Sequence, residues 1–248
     1  MRAFFALWRR EVHGLLVAPF VYLLLGFWFL LNGLMFTYLL TYEREVQQDL
    51  GLLAPYLFGS GLLVWLLLPT FPPLLTLRLL AEERRIGTLE PLLTAPIGDA
   101  AVVIAKYLAA CVFFLIFWGG VAALFLLLAA FGAPLPWGTV AAGMCGALLC
   151  SLLFLATGLW ASSWGGNLLL AAGGGAALNY LLLFLPVLFE HDEGWLGAVA
   201  RAAHIPNMLD RGFSAGLIDS YAVTYFLALA ALFVYLAWVR LVSRRWVP

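Results

Sequence analysis

Long hydrophobic runs dominate the chain, and charged residues interrupt them only at intervals. Four runs contain no Asp, Glu, Lys or Arg: residues 12–42, 50–77, 107–189 and 220–239. A helix needs about 20 apolar residues to cross a bilayer core, and turn-forming residues at 132–138 and 162–167 divide the third run into three. The pattern therefore predicts six membrane spans: Phe20–Leu40, Leu53–Leu77, Tyr107–Phe131, Thr139–Ala161, Leu168–Phe189 and Ser220–Val239.

The segments outside these spans carry weaker helical patterns. Within residues 1–14, one helical face is apolar (Phe4, Leu7, Trp8, Val12) and the other is basic (Arg2, Arg9, His13), which is typical of an interfacial amphipathic helix. An extension of the first span is the open alternative. Residues 190–219 have apolar positions at helical spacing between breaks, which indicates short interfacial or re-entrant helices. We therefore predict an all-α integral membrane protein with a single transmembrane domain over residues 1–248.

Composition supports this fold class. The chain is 65% hydrophobic and 10% charged, with a mean hydropathy of +1.03. Soluble domains average about 45–50% apolar and about 25% charged residues. An ordinary soluble enzyme, a disordered chain and a nucleic-acid-binding domain are therefore excluded.

The basic residues indicate the orientation of the spans. Six spans place both termini on one side, which then holds ten of the thirteen Lys and Arg residues. Only Arg44, Arg201 and Arg211 lie opposite, where most acidic residues also fall. The positive-inside rule then predicts that both termini are cytoplasmic.

The most highly charged connection, residues 78–106, has the pattern of a short helix between two breaks. Gly87 can end one helical turn and Thr88 can cap the next, and Asp99 can cap the helix that follows. Apolar Leu89, Leu92 and Leu93 are flanked by charges. Two interpretations are open: this helix docks into a groove of another protein, or it is a solvated connection.

The spans contain little chemistry of their own. Without His, Asp, Glu, Lys or Arg they offer no acid, base or metal set, so an intramembrane enzyme is not expected. The chain has no P-loop motif and one lysine, Lys106, so any work it performs needs energy from another subunit. The following polar residues either pack helices together or line a pathway: Asn32, Thr37, Thr157 and Asn179.

Two local patterns predict how the helices meet. Pro69, Pro72 and Pro73 remove backbone donors near the end of the second span, so we expect a bend there, either a hinge or a tolerated kink. Residues 173–175 are glycines, which lets another helix approach closely, for packing or for self-association. The acidic sequence at 190–193 is either a solvated loop or a metal site.

The charged connection carries a family resemblance. The segment Glu82-Glu83-Arg84-Arg85-Ile86-Gly87-Thr88-Leu89-Glu90, followed by residues 92–97 and Lys106-Tyr107, resembles the loop between the second and third spans in permeases of the ABC type-2 transporter family. The resemblance continues at Ser162-Ser163, Asn167, residues 213–219 and Tyr225-Phe226. Within the family the chain looks most like the gliding-motility-associated branch.

The resemblance implies that membrane transport and ATP binding belong to different subunits. The chain would be the permease, a multi-pass protein of the bacterial plasma membrane that binds no cofactor itself. ATP and Mg would be bound by a separate cytosolic ABC ATPase, and a second permease copy, identical or related, would complete the transporter. The residues that would form the coupling helix seated on the ATPase are Glu82, Glu83, Arg84, Arg85, Gly87, Thr88, Leu89, Glu90, Leu92 and Leu93.

Three hypotheses about function follow. The first is ATP-driven export of an amphipathic or apolar substrate, since the spans are poor in charge. The second is a mechanical or assembly anchor that acts on an envelope partner through residues 189–219 without moving a solute. The third, a distant one, is handling of copper or sulfur through His191, His204 and the outer acidic residues.

Overall fold

The computed structural model describes residues 2–46, 53–88 and 98–243. Of the described residues, 84% are helical and none is in a β-strand. Short π-helical turns at Tyr56–Ser60 and Met208–Gly212 and a 3₁₀ turn at Phe213–Ala215 join the α-helices. The α-helices are α1 (Arg2–Val17), α2 (Pro19–Val46), α3 (Leu53–Pro55), α4 (Leu62–Leu67), α5 (Phe71–Thr76), α6 (Ala81–Ile86), α7 (Asp99–Ala130), α8 (Trp137–Ser162), α9 (Leu168–Phe189), α10 (Trp195–Ala202), α11 (Ile205–Asn207) and α12 (Ser220–Ser243).

Five of these helices are long and apolar enough to cross a membrane, and a bent pair makes a sixth candidate span. The five are α2, α7, α8, α9 and α12, and the pair consists of Leu53–Leu67 and Phe71–Ile86. The all-helical fold with several candidate spans agrees with the sequence prediction, and the protein is a multi-pass membrane protein. Helix α7, which contains the third predicted span, begins at Asp99, before the predicted start of that span at Tyr107. Lys106 therefore lies inside a helix and not in a solvated loop.

The core surrounds α8, the most enclosed of the apolar helices. Two thirds of its most apolar window (67%) is buried, against 22–33% for the other four long helices. Small residues such as Gly143 and Gly146 let Phe58 and Phe213 approach its backbone. A cluster of aromatic rings fills the space between α2, α5 and α7, where Trp28 stacks on Phe117 at 4.1 Å.

The second span is broken near its middle, as the prolines predict. Its two halves meet at an angle of 57°, and the helix is interrupted between Leu67 and Phe71. Pro72 and Pro73 occupy the first turn of α5, where a missing N–H costs least. The Thr70 N–H donates to the Leu67 carbonyl, one residue short of the α-helical partner.

The N-terminal helix is amphipathic as predicted, but another helix covers its apolar face. Leu7 is buried against Val102 and Ala105 of α7, and Arg2 and Arg9 are exposed. Glu11 lies one turn after Leu7 on this buried face. The chain then turns at Ala18 and enters α2 at Pro19.

The predicted turns between α7, α8 and α9 are also present. The break at 131–136 separates α7 from α8, and residues 163–167 separate α8 from α9. Asn167 caps α9 by accepting hydrogen bonds from the N–H groups of Leu169 and Leu170. The connection 190–219 is largely helical, with Gly194 before α10 and Gly216 at a positive φ of 88°. We call the end of the bundle that carries these residues the long-connection end, and the opposite end the Lys106 end.

Candidate functional site

The Lys106 end contains a cluster of charges that joins three parts of the chain, with Lys106 and Glu11 buried, Glu83 partly buried and Arg10 exposed. Lys106 is fully buried (0% exposed) and lies seven residues after the start of α7. It follows Val102 and Ala105, which pack on Leu7 of α1. Its Nζ lies 3.0 Å from Glu11 Oε2 of α1 and 2.7 Å from Glu83 Oε2 of α6. Arg10 Nη2 lies 2.6 Å from Glu11 Oε1 and 3.9 Å from Glu83 Oε1. We call these four residues the Lys106 cluster.

The charges within the Lys106 cluster balance, and this balance is what makes their burial possible. Two carboxylates face one ammonium and one guanidinium, so each buried carboxylate has a cation within reach. Desolvating an ion costs several kcal/mol, and only close partners in good geometry offset that cost. The cluster therefore adds little net stability, but removing one member leaves an uncompensated charge. It fixes the relative position of α1, α6 and α7.

A second set of contacts ties α6 to the end of α8. We call residues 81–88 the α6 turn. The Ala81 N–H donates to Ser162 Oγ over 3.0 Å, and Arg84 Nη1 donates to the Ser163 carbonyl over 3.2 Å. Both serines are buried. The α6 turn is thus attached to α8 on one side and, through Glu83, to α1 and α7 on the other.

The end of the α6 turn follows from one glycine. Gly87 has a φ of 82°, in the left-handed region that favours glycine, and it ends α6 as the sequence predicts. The N–H of Thr88 donates to the Glu83 carbonyl over 2.9 Å, which is the bond of a Schellman motif. Because this bond fixes the backbone at Glu83, the glycine also helps to aim that carboxylate at Lys106.

The opposite face of the α6 turn is open. Arg85, Ile86, Gly87 and Thr88 are exposed, and Ile86 is 66% exposed. A cavity of about 390 Å³ lies between α1 and this turn, beside the Lys106 cluster. One face of the turn is therefore held by three helices, while the other is free to meet another molecule.

The predicted coupling residues divide between these two faces. Glu83 and Arg84 make the inward contacts described above. Glu82 is half-buried and pairs with Arg78, whose Nε lies 2.7 Å from Glu82 Oε2. Arg85, Gly87 and Thr88 lie on the open face. The remaining predicted residues, Leu89, Glu90, Leu92 and Leu93, lie outside the described residues.

The polar residues inside the spans also divide into two pairs. Asn32 Nδ2 donates to the Trp28 carbonyl and the Thr37 hydroxyl to the Gly33 carbonyl, so both bind their own helix. Thr157 of α8 and Asn179 of α9 are fully buried, and the Thr157 hydroxyl donates to Asn179 Oδ1. Thr157 and Asn179 therefore join two spans.

The long-connection end contains a larger cavity, of about 600 Å³, with a mixed lining. Trp65 and Phe184 form an apolar wall, and polar residues from α10 and the turns after it form the other. His204 Nε2 lies 2.8 Å from Glu190 Oε2, while its Nδ1 accepts the Asn207 N–H. His191 is exposed and lies 3.6 Å from Glu190. Within the described ranges, no three or more His, Cys, Asp or Glu residues are grouped to hold a metal ion.

Sequence reasoning missed Glu11 and the burial of Lys106. A signal for Glu11 was present, because Leu7, Glu11 and Leu15 are spaced by four residues and fall on one helical face. A signal for Lys106 was its position in a helix that starts at Asp99, seven residues earlier. Neither pattern identified the partner, because Glu11 and Lys106 are 95 residues apart.

A family model matches a range of the chain that contains much of this site. A model described as ABC-2 family transporter protein matches residues 15–169, which is more than half of the chain. The matched range runs from the end of α1 to the start of α9 and includes the α6 turn and Lys106. A search of curated proteins finds no match.

Proposed function

Because the chain belongs to the ABC-2 transporter family, we propose that it is the membrane-spanning half of a transporter driven by a separate cytosolic ATPase. The family is a membrane transport family that works with an ATP-binding subunit. We propose that the α6 turn, with Leu89, Glu90, Leu92 and Leu93 after it, docks on that subunit. The Lys106 end, with both termini, then faces the cytoplasm of a bacterial cell.

The observation that carries this proposal is that the α6 turn is attached to several helices on one face and exposed on the other. Its inner face is bound to α1, α7 and α8 through Glu83, Ala81 and Arg84. Its outer face exposes Ile86 and Arg85. A segment with this arrangement passes the displacement of a partner to several helices at once, which a solvated loop does not do.

The charge distribution supports the orientation and the substrate class. Ten of the thirteen basic residues belong to the side of the Lys106 end, where the positive-inside rule places the cytoplasm. The spans offer apolar surface and few polar groups, which suits an amphipathic or apolar substrate moving outward. A second permease copy, identical or related, completes the pathway, and the gliding-motility-associated branch is the proposed subgroup.

Capture of the ATPase by the intact protein tests the docking role. We expect Ile86→Asp to abolish co-purification of a co-expressed ABC ATPase subunit, because a carboxylate replaces an exposed apolar contact. Ile218→Asp is the matched control, since Ile218 is 60% exposed at the long-connection end and Ile86 is 66% exposed. Size-exclusion chromatography of both variants, with the ATPase rate of each complex, gives the result.

Two results would overturn the docking role. One is capture by Ile86→Asp at the wild-type level. The other is loss of capture in Ile218→Asp with retention in Ile86→Asp, which would place the partner at the other end. Deletion of residues 82–96 provides a second variant, and a complex that survives this deletion also counts against docking.

A second candidate function is a mechanical or assembly anchor. It is favoured by the exposed apolar face of α10, where Trp195 is 75% exposed and Val199 is 58% exposed. This face can hold an envelope partner that moves when ATP is hydrolysed. ATP-dependent flux of a defined solute through the reconstituted complex would exclude the anchor, and an ATPase cycle without flux would favour it.

A further inference from the structure

The break in the second span leaves carbonyl oxygens that its own helix cannot satisfy. Pro73 has no N–H, so the Pro69 carbonyl four residues earlier has no helical donor. The Thr70 N–H donates to the Leu67 carbonyl, so the Leu66 carbonyl also lacks its helical partner. Backbone groups inside a membrane have no water to bind, and neighbouring helices must supply the donors.

Two consecutive residues of α9 supply them. Asn179 Nδ2 donates to the Pro69 carbonyl over 2.8 Å. The Tyr180 hydroxyl donates to the Leu66 carbonyl over 2.5 Å and lies 2.9 Å from the Thr70 hydroxyl. The Thr70 hydroxyl also approaches the Leu66 carbonyl, at 3.3 Å. Two unpaired carbonyls of one span are therefore bound by the side chains of another.

The Pro69 carbonyl fixes the direction of the Asn179 amide. The Pro69 carbonyl only accepts hydrogen bonds, so it must face the NH₂ group of Asn179. The Asn179 oxygen then faces the Thr157 hydroxyl, which donates to it. A flipped amide would place two acceptors against each other at Pro69. The interaction therefore has one orientation and connects the second, fourth and fifth spans.

Two glycines bring the three backbones together at the same place. A Cβ atom on Gly175 of α9 would lie 2.9 Å from Pro73 Cβ and 3.2 Å from the Gly158 Cα of α8. A Cβ atom on Gly158 would lie 3.0 Å from Pro73 Cα and 2.5 Å from Thr76 Oγ1. Pro73 thus sits between α8 and α9 at contact distance. This seat lies one turn after the break and eight residues before the α6 turn.

We propose that Asn179 and Tyr180 are positioning residues that hold the second span at its bend. The seat at Pro73 is the pivot, and the two side chains set the angle by binding the carbonyls on the other side of it. When the α6 turn moves, α5 pivots with it at Pro73, and because the angle of the bend is held, α4 and α3 move as well. The role in transport rests on the proposed function, whereas the role in the bend does not.

The first test measures the bend in this chain alone. Spin labels at Tyr56→Cys and Ile86→Cys report the distance between the two halves, with Cys111, Cys145 and Cys150 replaced by Ala; both labelled sites are exposed. In Asn179→Ala we expect a longer and broader distance distribution, because the freed half-helices straighten. At about 1.5 Å per residue, loss of the 57° bend lengthens this distance by up to about 5 Å.

Asn32→Ala is the matched control. Asn32 is as buried as Asn179 (2% and 0% exposed) and also sits in a span, but its amide binds only its own helix. We expect this variant to keep the wild-type distance. An Asn179→Ala distribution that is the same as that of Asn32→Ala overturns the proposal.

A second variant covers the case in which Asn179→Ala does not fold. Tyr180→Phe removes one hydroxyl and keeps the ring, which stacks on Phe184 at 6.1 Å. We expect a smaller shift in the same direction, and no shift in Tyr235→Phe, whose ring is 55% exposed. A Tyr180→Phe chain with the wild-type distance counts against the proposal.

Measurements on the complex separate this proposal from the proposed function. In the complex the labels are placed at Tyr56→Cys and Trp137→Cys, both exposed and away from the docking face, so that Ile86 stays intact. We expect Asn179→Ala to retain the ATPase subunit but to lose the ATP-dependent change of the Tyr56–Trp137 distance. Failure of Ile86→Asp to affect capture overturns the docking role and leaves the distances of the isolated chain as they are. An ATP-dependent distance change of wild-type size in Asn179→Ala overturns the positioning role and leaves docking as it is.

Discussion

Two joints hold the stretch from Pro69 to Thr88, and they use opposite chemistry. At the α6 turn, the Lys106 ammonium group binds the Glu83 carboxylate, so this contact is between full charges. At the bend, Asn179 and Tyr180 bind backbone carbonyls with neutral groups, and Gly158 and Gly175 provide the close fit. One segment is therefore held by ions at one end and by amide, hydroxyl and packing contacts at the other.

The difference follows from how much water can reach each joint. The α6 turn is beside exposed residues such as Arg85, so charges there can be hydrated until the helices close over them. The bend lies between apolar spans, where a charged side chain would oppose insertion by about 2.5–3.5 kcal/mol. Neutral donors satisfy the Pro69 and Leu66 carbonyls without that cost. The two joints should therefore respond differently to mutation, as the following predictions specify.

The largest effect is expected for Lys106→Ala. The substitution leaves Glu11 and Glu83 buried with Arg10 as the remaining cation, so we expect the free energy of unfolding to fall by about 3–5 kcal/mol. Equilibrium unfolding of the purified protein, from mixed micelles into SDS, measures this loss.

The control for Lys106→Ala removes the charges together. A chain with Lys106→Met, Glu11→Gln and Glu83→Gln contains no uncompensated carboxylate, and replacing a whole buried ion group is often neutral for stability. We expect it to be more stable than Lys106→Ala. If the triple variant is the less stable of the two, the ions themselves stabilise the Lys106 end and our description of this joint is wrong.

At the bend, Gly175→Ala should cost less than the loss of Lys106. The new methyl group would overlap Pro73, and overpacking of this kind costs about 1–3 kcal/mol. Gly173→Ala, in the same helix, is the control because a Cβ atom there meets nothing within 4 Å. Thermal denaturation should separate the two alanine variants, and equal melting temperatures would contradict close packing at Pro73.

A smaller effect is expected for Ser162→Ala, which tests the link between the α6 turn and α8. The buried Ala81 N–H loses its acceptor, for which we expect a loss of about 1 kcal/mol. Ser163→Ala is the neighbouring control, because the Ser163 hydroxyl binds the Trp160 carbonyl of its own helix. Chemical unfolding of both variants measures the difference, and a larger loss in Ser163→Ala would be evidence against this link.

The smallest effect is expected for Arg78→Gln. The Arg78–Glu82 pair is partly exposed and spans one helical turn, and pairs of this kind contribute about 0.3–0.5 kcal/mol. A loss comparable to that of Lys106→Ala in the same unfolding assay would mean that Glu82 belongs to the buried joint.

Much of this arrangement can be predicted from local sequence. Charge-free runs, proline positions and Gly87 each act within a few residues, so they predict the spans, the bend and the end of α6. The amphipathic pattern of residues 1–14 likewise predicts α1. The pattern does not predict what covers its apolar face, because α7 and a lipid surface are equally apolar.

The contacts that make the joints could not be predicted in the same way. Lys106 reads as a solvated residue at the edge of a span, and only the fold brings it to Glu11 and Glu83. Asn179 reads as a polar residue of unknown partner, because its acceptor is a backbone carbonyl 110 residues away that proline has left unpaired. A carbonyl has no sequence signature, so the role of Tyr180 is visible only in three dimensions.

The position of Glu11 in the first helix sets an order of assembly during synthesis. This carboxylate leaves the ribosome 95 residues before the ammonium group that neutralises it. Until α7 has been inserted, α1 lacks the surface that buries Leu7, and Glu11 stays hydrated beside Arg10. This helix is therefore made before its partner and docks only after α7 is in place, so a substitution of Glu11 would act on a late step of biogenesis.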